Sequence, residues 1–204
     1  MKLENKPHLE GSQQLFNNPI LERLTRTHIA IPLTLFSLIS SGLIVYGVQH
    51  GFLGFINAPL LFIAGLLLFT LIEYIMHRFL FHLEPHTDNQ KKFAYTVHGV
   101  HHDYPKDKDR LAMPPPLSLL LSAAFFGLFY LIMGNFVFGF LPGFLMGYAS
   151  YLGVHYMVHA YKPPKNFFKV LWVHHGIHHY KDDERAFGVS SPFWDVIFRT
   201  MPKR

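Results

Sequence analysis

The chain has 204 residues, enough for one domain; half are apolar and only 15% are charged, against roughly 25% in soluble domains. Cysteine is absent, which excludes disulfide staples, thiolate zinc sites and cysteine-ligated iron–sulfur clusters. The net charge is +5, but the basic residues do not interleave with aromatics, so the excess reads as flanks facing anionic lipid and not as a nucleic-acid surface.

Residues 1–26 read as a polar N-terminal arm carrying Lys2, Lys6, Arg23 and Arg26, with no small-residue cleavage site and hence no expected signal peptide. Residues 27–204 read as a single membrane domain. Within it, Thr27 to Ile72 and Leu117 to Tyr161 contain no Asp, Glu, Lys or Arg. A helical crossing needs about 20 residues, so each block is long enough for two. Breakers lie near the middle of each: His50-Gly51 through Asn57 and Pro59 in the first, Gly134-Asn135 with Gly139 and Pro142-Gly143 in the second. The expected architecture is all-α, an integral membrane protein with four transmembrane helices in two hairpins, about 29–48 with 58–76 and 117–133 with 138–160. Buried helices of a soluble bundle would show a polar stripe, and these are apolar all round.

All 18 Lys and Arg lie in the arm, the segment from Arg78 to Arg110, or the tail from Lys162 onward; the hairpin tips have none. With four crossings those three regions share one side, which the positive-inside rule places in the cytoplasm. That side carries an expected histidine-rich helical cap.

Most of the 15 histidines fall in four boxes on that side: His77 and His82, then His98, His101 and His102, then His155 and His159, then His175, His178 and His179. Residues three or four apart share a helix face, which aligns the members of the last three boxes. His77 and His82 are five apart and splay on an undistorted helix; either the helix unwinds there or the two serve different metals. Neutral imidazole ligates iron, zinc, copper and nickel, and ten rings exceed the roughly four to six ligands one ion takes, so two ions are the economical expectation. His8, His28, His50 and His86 read as structural. His174 is one register off, and His175 completes the spacing in its place. Glu73, four before His77, is placed to orient that imidazole, and Tyr151, four before His155, to hydrogen-bond near the site. Trp172 and Trp194 read as interfacial anchors, and Arg78 as a residue reaching lipid headgroups.

In its order of boxes, H-x4-H, H-x-x-H-H, H-x3-H and H-x-x-H-H, the sequence from about Glu73 onward resembles the fatty acid hydroxylase/sterol desaturase superfamily. Its closest resemblance there is to fatty acid 2-hydroxylases, carried by His77-Arg-Phe-Leu-Phe-His82, Pro105 to Pro115 with Arg110-Leu-Ala-Met-Pro, and Phe187 to Asp195. The resemblance implies two iron ions held by the ten box histidines, with zinc able to replace iron in purified protein, and O2 as co-substrate. One oxygen atom enters C2 of a lipid acyl chain, in a sphingolipid, ceramide or free fatty acid, and the other leaves as water. Many such enzymes carry a fused cytochrome b5 domain, for which 26 residues are too few, so a separate electron donor of cytochrome b5 or ferredoxin type is expected. Carotenoid or sterol hydroxylases and desaturases of the same superfamily differ in product. A metal transporter needs polar groups at mid-depth, whereas these rings sit at helix ends. A non-catalytic metal-binding protein leaves the number of histidines unexplained.

Overall fold

A computed structural model describes residues 7–203, in which all the regular structure is helical. Lys2 and Lys6 of the polar arm lie outside the described residues. Nine α-helices follow in order: α1 (Pro19–Leu24), α2 (Ala30–Gln49), α3 (Asn57–Ile75), α4 (Asp88–Ala94), α5 (Val100–Asp103), α6 (Pro115–Met133), α7 (Val137–Ala160), α8 (Lys169–Tyr180) and α9 (Phe193–Ile197). Short helices have local causes. Asn18 caps α1 by accepting from the backbone of Ile20 and Leu21, with Pro19 preset for the first turn. Thr87 and Gln90 form a capping box on α4.

Three stretches are long and apolar enough to cross a membrane: Ala30–Gln49, Asn57–Phe81 and Lys108–Ala160. The last, at 53 residues, contains both α6 and α7. The chain reverses between them at Gly134, whose φ of 57° is left-handed and costs glycine little. Pairing of Phe125 with Phe144 and of Phe129 with Phe140, both at 5.0 Å, shows the two helices running antiparallel. Helix boundaries lie within a few residues of the expected ones, because glycine and proline mark the tips.

Helix α7 is the centre. It lies antiparallel to α2, through Phe36 against Tyr148 and the Ser40 hydroxyl donating to the Pro142 carbonyl at 3.3 Å. Against α3 it lies parallel and unusually close. A Cβ at Gly143 would stand 1.9 Å from the Phe62 carbonyl oxygen, and one at Gly65 2.0 Å from that of Phe140. Gly139, Gly143 and Gly147 form the stripe that admits α3. Because α3 and α7 run parallel, their C-terminal ends, with His77 just beyond one and His155 and His159 on the other, arrive side by side. The outer faces stay apolar and uncovered, Leu131 being 85% exposed and Leu38, Leu60 and Leu120 above 60%. Leucines so placed suit contact with lipid.

The arm packs on the central segment. Buried Arg110 donates to Glu22, to the Thr25 hydroxyl at 2.6 Å and to the Gln13 carbonyl at 2.7 Å, while Thr27 N–H donates to the Asp109 carbonyl at 2.7 Å. Arg110, singled out in the sequence, is thus a clamp between arm and cap. Arg78 lies over the Tyr74, Phe79 and Phe187 rings and donates to the Tyr74 hydroxyl at 3.1 Å. The tryptophans tie the tail down: Trp172 Nε1 donates to the Tyr161 carbonyl and Trp194 Nε1 to the Thr70 hydroxyl.

Candidate metal centre

Helix α3 continues into a π-helical turn, Met76–Phe81, in which the His82 amide donates to the His77 carbonyl at 3.2 Å. A five-residue hydrogen-bonded repeat puts residues five apart on one face, so the His77–His82 spacing that an α-helix splays becomes an aligned pair. The helix is rewound there, and the two rings fall in one cluster, which supports one shared metal. A second π-helical turn, Tyr95–Gly99, precedes α5 and turns His98 inward with His101 and His102. The end of α7 supplies His155 and His159, and one face of α8 supplies His175, His178 and His179.

These rings form two clusters. His77, His82, His98, His102 and His178 make the first; His101, His155, His159, His175 and His179 make the second. In each, one nitrogen per ring lies within 4.8 Å of all the others. The clusters share a wall, where the His102 and His179 rings stack at 4.2 Å. His98 Nε2 lies 3.1 Å from His77 Nε2 and 3.0 Å from His102 Nε2, and His159 Nε2 lies 2.8 Å from His175 Nε2. A single proton cannot satisfy three converging ring nitrogens. Among the described residues, both ring nitrogens of His101, His155 and His179, with Nε2 of His82 and His178, are buried without a hydrogen-bond partner. Buried polar atoms are normally paired, so such a concentration of lone pairs fits a cation at each cluster. Neither cluster includes His8, His28, His50, His86 or His174.

The tail holds the first cluster from outside. His77 Nδ1 donates to the Phe187 carbonyl at 2.5 Å and His178 Nδ1 to the Arg185 carbonyl at 2.7 Å, which leaves Nε2 of each as the lone-pair atom. Between those carbonyls sits Ala186, fully buried at a φ of 59°, a left-handed conformation that turns both carbonyls to the rings. Two carboxylates fix this loop. Glu73 accepts from the Val189 and Ser190 amides, both at 2.8 Å, and from the Ser190 hydroxyl. Glu73, expected to orient His77, reaches it through the loop: the carboxylate holds the segment whose Phe187 carbonyl accepts from the imidazole. Asp195 accepts from the Phe187 and Gly188 amides, the Thr200 hydroxyl and His174 Nε2, at 3.0, 2.8, 2.7 and 2.9 Å. Burial alone would raise the Asp195 carboxyl, but the hydrogen bonds from His174, Thr200 and Gly188 outweigh it and hold it below its usual range. Tyr151, expected to hydrogen-bond near the site, meets it by ring stacking on His155 at 5.5 Å.

Burial, reinforced by neighbouring imidazoles, pushes His98, His101, His102, His175, His178 and His179 well below the ordinary histidine range. His82 moves the same way. These rings are therefore neutral at physiological pH, the form that binds metal.

Residues 62–200 match the family model described as fatty acid hydroxylase, a span holding all ten cluster histidines and the supporting loop. The chain belongs to the fatty acid hydroxylase family. It is 39% identical over 197 residues, 93% of this chain, to the ceramide very long chain fatty acid hydroxylase scs7 of Schizosaccharomyces pombe, and 36% identical over 198 residues, 94% of this chain, to SCS7 of Saccharomyces cerevisiae. Those matches cover 55% and 50% of the relatives, so the chain spans about half their length. It is 37% identical over 155 residues to human fatty acid 2-hydroxylase, across 70% of this chain and 40% of that one. A solved structure of full-length scs7p, in which only the hydroxylase domain is visible, superimposes with a TM-score of 0.85 at 35% identity, covering 95% of this chain and 74% of that one.

Sequence reasoning missed three parts of this site: the Arg185 and Phe187 carbonyls, the left-handed Ala186, and the role of Asp195. Asp195 lies in the segment that carries the family resemblance, which was a signal. Backbone carbonyls leave none.

Proposed function

We propose that this chain is an oxygen-dependent di-iron hydroxylase that adds a hydroxyl to C2 of a lipid fatty acyl chain, a reading supported by its ceramide and fatty acid 2-hydroxylase relatives. The observation that carries the reading is the pair of adjoining five-imidazole clusters in a member of this family. His77, His82, His98, His102 and His178 would hold one iron, and His101, His155, His159, His175 and His179 the other. Bound there, iron would supply the activation of O2 that attack on a C–H bond requires, redox chemistry that zinc lacks. The balance is R–H + O2 + 2 e⁻ + 2 H⁺ → R–OH + H2O. The electrons come from a carrier of cytochrome b5 or ferredoxin type lying outside these 204 residues.

The chain's own residues prepare the site. The Phe187 and Arg185 carbonyls fix the tautomers of His77 and His178. Nine of the ten rings are buried, His82 being the half-buried one, which limits the access of bulk water to a reactive centre. Helices α2, α3, α6 and α7 are read as four crossings with the clusters at the cytoplasmic surface. In that arrangement an acyl tail stays among apolar helices while C2, next to the headgroup, reaches the metals.

Mass spectrometry of lipids from cells with and without the protein tests this reading: expression should add one oxygen to acyl chains, at C2. His101→Ala should remove metal and abolish the gain, whereas His8→Ala, outside both clusters, should do neither. Purified protein should carry close to two metal ions per chain; products oxygenated on a ring or at a remote carbon would refute the C2 assignment.

A further inference from the structure

Two openings reach the buried clusters, and their charges differ. One, of about 320 Å³, has His159 and His175 of the second cluster in its wall, with Trp172 and Tyr180 beside them and Lys106 and Lys162 as its only charged side chains. The other, of about 160 Å³, touches His82 of the first cluster and carries Arg78 against Glu84, Asp183 and Glu184. A carboxylate-rich surface is attracted to the first opening and repelled by the second.

We propose that the opening above His159 and His175 is the docking surface for the electron donor, an acidic one-electron carrier protein, and that electrons enter the site through the second cluster. This inference rests on the hydroxylase reading, because only a redox reaction needs a donor. Its geometry suits the task. His159 and His175 are themselves lining residues, so a redox group seated in the opening stands next to members of the second cluster with no intervening helix. Trp172 is fixed by its bond to the Tyr161 carbonyl at 2.9 Å, which makes it a rigid aromatic contact of the kind that anchors interfaces. Lys162 is exposed and free of ion pairs among the described residues. Lys106 donates to the His159 carbonyl at 3.0 Å, holding its charge at the rim. Lys162, Lys165 and Lys169 extend the positive charge along the segment leading into α8.

The test is a binding titration of metal-loaded, detergent-solubilised full chain with the oxidised soluble domain of an acidic cytochrome b5, paired with lipid product analysis. Lys162→Glu and Lys106→Ala should each weaken carrier binding, Lys162→Glu by about tenfold. Lys92→Glu on α4, which lines neither opening, should leave it unchanged, and metal content should be intact in all three. Binding of the unaltered protein should weaken as salt rises. Absent carrier binding, or carrier affinity unchanged by Lys162→Glu and Lys106→Ala, overturns the proposal. So does loss of binding to anionic phospholipid vesicles with carrier affinity intact, which would make the opening a headgroup site. If the variants lose carrier binding as expected but no protein yields hydroxylated lipid, the docking surface stands and the hydroxylase reading falls.

Discussion

Ala186 occupies a conformation that its side chain disfavours, between the two carbonyls that fix His77 and His178. Strain of this kind persists where the surroundings over-determine it, and here they do: the Ala186 amide donates to the Thr200 carbonyl at 2.9 Å, while Glu73 and Asp195 hold the residues on its far side. Glu73→Ala tests the arrangement. It leaves the buried Val189 amide, at about 1–3 kcal/mol for a buried group, and the half-buried Ser190 amide and hydroxyl without their acceptor. It also frees the loop bearing the Phe187 carbonyl. Metal affinity should fall roughly 10- to 100-fold, the usual cost of losing the support behind a metal-bound histidine. Metal titration of the purified variant measures this, and unchanged affinity would show that Glu73 stabilises the fold alone. Little of this layer was legible in the sequence. Glu73 was visible as a carboxylate one turn before His77, but its partners are 116 and 117 residues away, and a left-handed alanine has no sequence signature.

At the scale of elements, the site is assembled by the parallel contact of α3 with α7. Gly143→Ala would push a methyl group into the Phe62 carbonyl, and backbone cannot swing aside as a side chain can. Overpacking of that kind costs about 1–3 kcal/mol. The variant should melt at a lower temperature and lose metal along with stability, whereas Gly127→Ala on α6, where a Cβ meets nothing within 4 Å, should leave both unchanged. Equal melting temperatures for the two variants would contradict the close-contact account. The helices themselves were readable, because charge-free blocks and glycine–proline tips are local signals. The Gly139–Gly143–Gly147 stripe was also present, at the four-residue spacing that marks close helix contacts. Which helix it admits was not, since that depends on the fold. The five-residue interval from His77 to His82 signalled a distortion without naming it; the π-helical turn is the distortion that fits.

For the whole molecule, the proposed topology puts the three basic regions and the histidine clusters on one face and the tips near Gly54 and Asn135, free of Lys and Arg, on the other. Cysteine labelling exploits the natural absence of that residue. Single cysteines near Gly54 and Asn135 should react from outside intact cells, and those near Lys106 and Lys181 should react only after permeabilisation; the opposite pattern would invert the proposed topology. In the proposed function, paired imidazole clusters at that face direct oxygen from O2 to C2 of an acyl chain. Turnover of the iron-loaded protein with a lipid acyl substrate and an electron donor under isotopically labelled oxygen gas tests it most directly. The expected product bears one labelled oxygen, at C2; a product whose hydroxyl carries no label, or carries it at another position, would refute this chemistry.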